Sequence, residues 1–112
     1  MRLKSKLWIT HDGGTVFGRG RAALLERIAR TGSISAAARE MNLSYRHAWT
    51  MLTTSEKHLG FRLVERTRGG RGGGGARLTE KARRLVEHFR ELEEDVLRLT
   101  REKEDELLSA CR

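Results

Sequence analysis

The side chains best suited to chemistry in this sequence flank a run of glycines in the middle of the chain. Residues 64–80 read VERTRGGRGGGGARLTE, and the seven residues 69–75 comprise six glycines and one arginine. Glycine permits positive φ angles and a close approach of the backbone to another molecule. Arg68, Arg71 and Arg77 add positive charge beside that backbone, so the stretch is suited to contacts with phosphate groups.

Three kinds of structure could use the glycine run: a linker between domains, a nucleotide-binding loop or the tip of a β-hairpin. A nucleotide-binding loop requires G-x-x-x-x-G-K-[ST], whereas Gly75 is followed by Ala76 and Arg77. A linker should separate two domains, but residues 80–112 are too few for a second globular core. Extended patterns on both sides of the glycines favour a hairpin. A loop that is merely permissive, without a ligand, stays open as an alternative.

A second group of polar side chains lies on one face of a helix predicted over residues 44–59. Tyr45, Arg46, Trp49 and Thr50 all fall opposite the apolar face of this helix. Arg46 could pair with O6 and N7 of guanine, Thr50 could contact a thymine methyl group or a phosphate, and Tyr45 could donate to a phosphate. The sequence leaves open whether Trp49 belongs to this face or to the core.

Three serines stand where helices are predicted to begin. Ser33 and Ser35 can each cap a helix that starts near residue 34, and Ser44 can cap the helix over 44–59. A hydroxyl at such a position can also donate to a phosphate. We therefore include all three serines among the candidate phosphate contacts.

Residues that could serve an enzyme or a metal site are scattered. The four histidines, at positions 11, 47, 58 and 88, fall on different predicted elements and lack the spacing of metal ligands. No serine or cysteine stands in a nucleophile motif, and the single cysteine, Cys111, cannot form an internal disulfide. We expect neither an enzyme nor a bound metal or cofactor.

Positive charge is concentrated in the first two thirds of the chain. Residues 1–79 contain 15 lysines and arginines and 5 acidic residues, whereas residues 80–112 contain 8 and 10. The net charge of +8 therefore belongs to a basic body with a nearly neutral tail, which indicates a polyanionic partner such as double-stranded DNA. The apolar runs are far shorter than the roughly 20 residues of a membrane-spanning helix. We expect a cytoplasmic protein without a membrane partner.

The order of the predicted elements is typical of a winged helix-turn-helix. A strand over 5–11 is followed by three helices, over 19–31, over a stretch that starts at 33 or 35 and ends at 41, and over 44–59. A hairpin or wing over about 61–79 and a helix over 80–110 complete the chain. Two short helices joined by a tight turn place the second helix in the DNA major groove, while the wing reaches the flanking backbone or minor groove. The predicted fold class is mainly α with a small β wing, followed by a long C-terminal dimerisation helix.

The C-terminal helix carries a short heptad pattern. Its apolar positions recur at spacings of three and four, and charged residues fill the positions between them. The predicted dimerisation residues are Leu85, Phe89, Leu92, Val96 and Leu99. The same seam could instead pack on its own domain, and the two possibilities are compatible.

Two groups of motifs resemble known families. The opening GSISAAA, from Gly32 to Ala38, and the later LGFRLVER, with Gly60 and Arg66, resemble the DNA-binding domain of LysR-type regulators. The combination LSYRHAW, VER, GGRGGGGA and LT is more similar still to the N-terminal domain of molybdate-responsive transcription regulators. This resemblance covers roughly residues 18–100. It implies a dimer bound to an inverted repeat, with molybdate held by a separate C-terminal domain. Because the sequence ends at Arg112, we expect that no small-molecule effector binds this chain directly.

These observations predict a sequence-specific DNA-binding transcription regulator. Residues 1–79 would form the winged helix-turn-helix domain, and residues 80–112 would form the dimerisation element of a homodimer on an inverted repeat. Two alternatives share the same features. A non-specific architectural DNA binder would have the charge without sequence preference, and a winged helix can also serve as a protein-interaction module.

Overall fold

The computed structural model describes residues 1–67 and 75–112, which form four helices and two small antiparallel strand pairs. The elements are β1 (Trp8–His11), β2 (Gly14–Gly18), α1 (Arg19–Thr31), α2 (Ile34–Glu40), α3 (Tyr45–Leu59), β3 (Val64–Thr67), β4 (Gly75–Leu78) and α4 (Glu80–Ser109). The predicted fold class, mainly α with a small wing and a long last helix, is confirmed. No helix in these two stretches combines the length and apolar character needed to span a bilayer.

The N-terminal strand is half of a hairpin, which corrects the prediction of a single strand over 5–11. β1 begins only at Trp8 and pairs with β2, a strand that the sequence analysis missed. Asp12 and Gly13 join the two strands with φ angles of 50° and 82°. Two successive positive φ angles are the mark of a type I′ turn, which Asp-Gly favours. β2 then carries Phe17 into the core, fully buried.

The helix-turn-helix segment begins and ends at residues that favour such boundaries. Gly32 ends α1 with a φ of 70°, and its N–H donates to the carbonyl of Ile28. The hydroxyl of Ser33 accepts from the N–H of Ala36, which makes Ser33 the cap of α2. Ser35 instead lies exposed inside α2, so its alternative role as the cap is corrected. Ser44 caps α3 as expected, since its hydroxyl accepts from the N–H of His47.

The core lies where α1 meets the other elements. Leu24, Leu25 and Ile28 of α1 are fully buried, because the 3.6-residue period brings them to one face. Phe17 meets Phe89 of α4 edge to face, with ring centroids 5.3 Å apart. This aromatic pair joins the N-terminal hairpin to the long helix.

The base of the wing is fixed to the helix-turn-helix by its backbone. β3 starts at Val64 rather than at residue 61 as predicted, and it pairs with β4 so that Arg66 lies opposite Ala76. The N–H of Ala76 donates to the carbonyl of Gly32 at 2.8 Å, which ties β4 to the turn between α1 and α2. The predicted DNA contacts Arg68 and Arg71 lie outside the described residues.

The long helix is packed at both of its ends. Thr79 caps α4 by accepting from the N–H of Ala82. Near the other end, the N–H of Leu3 donates to Glu104 at 3.0 Å, and the carbonyl of Leu3 accepts from Arg101 at 2.9 Å. The N-terminal segment therefore lies along α4 and covers Glu104, a buried charge that the sequence pattern did not reveal.

Candidate nucleic-acid interface

One long face of α3 is open to solvent. Arg46 and Thr50 are exposed and lie one helical turn apart, while Ala48 and Leu52 are buried on the opposite side. A helix with one buried and one polar exposed face can be laid against another molecule without loss of core packing. The sequence-predicted contacts Arg46 and Thr50 are thus accessible together.

Two aromatic side chains extend this face. The rings of Tyr45 and Trp49 are stacked, with centroids 6.4 Å apart and planes inclined by 10°. Trp49 is 38% exposed, so its ring lies partly at the surface beside Tyr45. Its role as a DNA contact stays a prediction.

Arg66 of β3 joins the aromatic pair, and the sequence analysis did not include it among the candidate DNA contacts. Its Nη2 donates to the hydroxyl of Tyr45 at 2.7 Å. Its guanidinium carbon lies 5.0 Å from the centroid of the Trp49 ring, a cation–π distance. The only available signal was its place in the LVER motif, because a contact across 21 residues leaves no local periodicity.

A cleft opens between two members of this trio, Tyr45 and Arg66, and the first turn of α2. Ser33, Ser35, Tyr45, Arg66 and Gly75 are among the residues that line it. The structure thus brings three sequence-predicted contacts, the two serines and Tyr45, to one place. A Cβ at Gly75 would overlap Oγ1 of Thr67 and lie 3.3 Å from the Gly32 carbonyl oxygen, so this position in the lining of the cleft favours glycine.

Arg77 occupies a different position from Arg66. It is exposed on β4, and its Nε lies 3.3 Å from Glu65 across the hairpin. Because both side chains of this pair are exposed, the pair contributes little to stability and leaves Arg77 accessible to a ligand.

Contacts behind α3 hold the helix in place. The hydroxyl of Ser55, fully buried, donates to the carbonyl of Val16 at 2.5 Å. Glu56 accepts from the N–H of Leu63 at 2.7 Å and so fixes the start of the wing. Arg21 of α1 donates to the carbonyl of Met51 at 3.3 Å, and burial lowers the pKa of its guanidinium.

Charged side chains also connect α1 to α4. Arg90 lies 2.5 Å from Glu26 and 2.7 Å from Glu93, and Arg19 lies 3.1 Å from Glu93. The hydrogen bond to Glu26 is the main reason that the pKa of Arg90 is raised. Burial alone would raise the pKa of Glu93, but its bonds and charge interactions with Arg90 and Arg19 outweigh burial and lower it.

The predicted dimerisation residues divide into two groups. Phe89 is buried and Leu85 partly buried against the core of the same chain. Leu92 and Leu99 are 50% and 55% exposed, and Val96 is intermediate. One part of the seam therefore packs on its own domain, and the other part faces outward.

Comparison with known proteins agrees with this architecture. Residues 21–83 match the model of the bacterial regulatory helix-turn-helix proteins of the lysR family. In the crystal structure of the CbnR_DBD–DNA complex, a similar chain superposes with a TM-score of 0.58 at 25% identity, over 83% of this chain and 97% of that one. ArgP from Mycobacterium tuberculosis shares the fold, with a TM-score of 0.54 at 20% identity over 74% of this chain and 30% of that one.

Curated relatives are more similar in sequence. The molybdenum transport protein ModE of Azotobacter vinelandii is 41% identical over 92 residues, which are 82% of this chain and 34% of the relative. The DNA-binding transcriptional dual regulator ModE of Escherichia coli K12 is 42% identical over 69 residues, or 62% and 26% of the two chains. The chain thus spans about a third or less of the length of these relatives.

The helix-turn-helix, the strand pair beside it and the match over residues 21–83 define the class, which is that of bacterial regulatory proteins built on a helix-turn-helix. The chain belongs to the lysR family of bacterial regulatory helix-turn-helix proteins. Its predicted resemblance to molybdate-responsive regulators is confirmed by the ModE relatives.

Proposed function

We propose that the protein acts as a homodimer that binds an inverted-repeat DNA site, with α3 in the major groove and the wing on the backbone or in the minor groove. The observation that carries the proposal is the exposed face of α3, where Arg46 and Thr50 lie beside the trio of Tyr45, Trp49 and Arg66. Residues 1–79 would be the DNA-binding unit. As the chromosome of a bacterium lies in the cytoplasm, that is the proposed compartment.

The side chains on this face match the chemistry of base edges and phosphates. A guanidinium can donate two parallel hydrogen bonds to O6 and N7 of guanine, which makes Arg46 the proposed base-reading residue. Hydroxyl groups and the remaining arginines would fix the register on the backbone, a role that does not depend on the sequence of the bases. The proposed backbone contacts are Ser33, Ser35, Ser44, Tyr45, Arg68, Arg71 and Arg77.

The outward part of the α4 seam supports the proposal of a homodimer. Leu92, Val96 and Leu99 recur on one stripe of a 30-residue helix, and the two leucines are half-exposed. Packing this stripe against its copy would remove apolar surface from water. Two such protomers would place their α3 helices about one DNA turn, roughly 34 Å, or a multiple of it apart.

We also propose that molybdate does not bind this chain directly. Among the described residues, three of the four cationic groups that line the groove between the N-terminal segment and α4 are already paired with carboxylates: Arg19 and Arg90 with Glu26 and Glu93, and Arg101 with Glu104. An oxyanion would have to displace these carboxylates. Calorimetric titration of the protein with molybdate should give no tight binding, and a saturable isotherm would contradict this part of the proposal.

Selection from a pool of randomised duplexes at physiological salt tests the proposed function. An enriched inverted repeat is expected. Retention without enrichment would favour an architectural DNA binder, because its contacts would be confined to the backbone. Loss of all DNA would favour a protein-interaction module.

A further inference from the structure

The junction between the recognition helix and the wing is organised around a single arginine. Arg66 donates to the Tyr45 hydroxyl at 2.7 Å, and its guanidinium lies 5.0 Å from the Trp49 ring centroid. We propose that these three side chains form a binding subsite for one phosphodiester group of the DNA backbone. The inference rests on the proposed function, since the ligand is a phosphate within a bound duplex.

The hydrogen-bonding capacity of the trio selects an anionic oxygen as the ligand. Arginine is only a donor, so the Tyr45 oxygen accepts from Arg66 and its own hydroxyl hydrogen must point elsewhere. Donation by a charged group polarises that hydroxyl and makes it a stronger donor. A phosphodiester group offers only acceptors and a negative charge, so it can take the tyrosine hydrogen and the remaining guanidinium hydrogens together.

The surroundings of Arg66 suit the same ligand. The cleft beside it is lined by the hydroxyl residues Ser33 and Ser35 and by Gly75 and Ala76. None of the described residues that line the cleft is acidic. The neighbouring carboxylate, Glu65, is instead paired with Arg77.

Three elements hold this subsite in shape before any ligand arrives. Arg66 comes from β3, Tyr45 and Trp49 come from α3, and the hydrogen bond from Ala76 to Gly32 fixes the wing to the turn before α2. The flat guanidinium lies between an aromatic face and a hydroxyl, so few of its rotamers are left to be lost on binding. Arg66 and Arg77 are both exposed, but Arg66 is held by these two groups, whereas Arg77 is paired with the carboxylate of Glu65.

The test combines side-chain variants with neutralised phosphates. A duplex that carries the selected site is made in versions with one uncharged methylphosphonate each, and the affinity of the wild-type full chain is measured for every version. At one phosphate in each half-site, the loss of affinity on neutralisation should require Arg66. The wild type is expected to lose about tenfold in affinity when that phosphate is neutralised, the size of a charge-assisted hydrogen bond.

Side-chain variants test whether Arg66 and Tyr45 bind that phosphate. Arg66→Ala should bind the unmodified site more weakly than the wild type. Neutralising that one phosphate should reduce the affinity of the variant by less than twofold, which is about the error of such assays. Neutralising the other contacted phosphates should still weaken its binding. Tyr45→Phe keeps the ring and removes only the hydroxyl, so it should lose part of the sensitivity at the same position, because the Arg66 guanidinium remains there. Arg77→Ala is the matched control, a neighbouring wing arginine that should keep full sensitivity there. Melting curves of all three free variants confirm that each is folded.

The outcomes separate this inference from the proposed function. If a site is selected but Arg66→Ala retains the wild-type map of sensitive phosphates, the subsite is wrong and the regulator stands. If no site is selected, the proposed function fails, and the salt dependence on a random duplex tests the subsite instead. The slope of the logarithm of the binding constant against the logarithm of the salt concentration should then be shallower for Arg66→Ala than for the wild type. The difference should correspond to about one phosphate contact. An unchanged slope would overturn the inference.

Discussion

The neighbours of each arginine determine what that arginine can contribute. Arg90 is held between Glu26 and Glu93 and is a structural group. Arg66 is held by an uncharged hydroxyl and an aromatic ring, and no carboxylate within residues 1–67 and 75–112 pairs with it. Arg46 is exposed on the free face of α3. Charge alone therefore does not distinguish these residues, whereas their partners do.

Replacing Arg46 with alanine should relax base preference at one position of each half-site. A bidentate pair with guanine gives about 1–3 kcal/mol of discrimination, and the variant should lose that amount for the preferred base. Binding to the selected site and to its single-base variants measures the change. Arg84→Ala, an exposed α4 arginine paired with Glu80, is the control and should leave base preference unaltered. An Arg46→Ala protein with wild-type affinity and preference would show that Arg46 does not read a base.

Gly75→Ala should destabilise the fold. The added methyl group would overlap the Thr67 hydroxyl and press on the Gly32 carbonyl, and overpacking of this kind costs about 1–3 kcal/mol. Urea unfolding measures the loss, and a second substitution, Thr67→Ala, should restore part of it. Gly20→Ala is the control, because a Cβ there meets nothing within 4 Å and alanine favours a helix. Equal stability of Gly75→Ala and wild type would contradict the packing at the wing base.

At the scale of elements, the contact between α1 and α4 should respond to pH through Glu93. Its pKa in the folded protein lies below the ordinary value of 4.5. A lowered pKa stabilises the folded state above the unfolded value, and this stabilisation is lost as the pH falls through the lower, folded value. The stability due to Glu93 is therefore fully present above about pH 4.5 and disappears in more acidic solution.

Glu93→Gln should be less stable than the wild type near neutral pH and should lose less stability on acidification. Thermal unfolding across the acidic range measures both effects. Glu91→Gln, an exposed neighbour whose only described ion pair is with His88, should follow the wild-type curve. If Glu93→Gln and wild type lose stability in parallel as the pH falls, the ion pairs with Arg90 and Arg19 do not contribute as described.

Elements with local signals could be predicted from the sequence, and those with distant partners could not. Helix α1 has the predicted bounds, and α3 begins one residue later than predicted and ends where predicted, because their period, caps and glycine stops are local. β2 was missed because Gly14–Gly18 has no clear alternation and is defined by its pairing with β1. Arg66 was missed as a site residue for a similar reason, since its partners Tyr45 and Trp49 are brought to it only by the fold.

At the scale of the whole molecule, the proposed dimer depends on the outward-facing leucines of α4. Leu92→Glu combined with Leu99→Glu should give a folded monomer, because both side chains are half-exposed in the single chain and the core does not need them. Light scattering at micromolar concentration measures the mass. Leu107→Glu makes the same change at a residue that is 50% exposed but lies beyond the predicted seam, and it should stay dimeric. A wild-type monomer, or a dimeric double variant, would contradict the proposed interface.

The selection of DNA from a randomised duplex pool tests the central claim most directly. A regulator that reads bases through α3 and pairs through α4 must enrich one half-site, repeated in inverted orientation at a spacing near one or more helical turns. Enrichment of such a repeat, lost in Arg46→Ala, is the predicted result. Binding that is equally strong for all sequences, or no binding at all, would contradict the assignment of α3 as a sequence-reading helix.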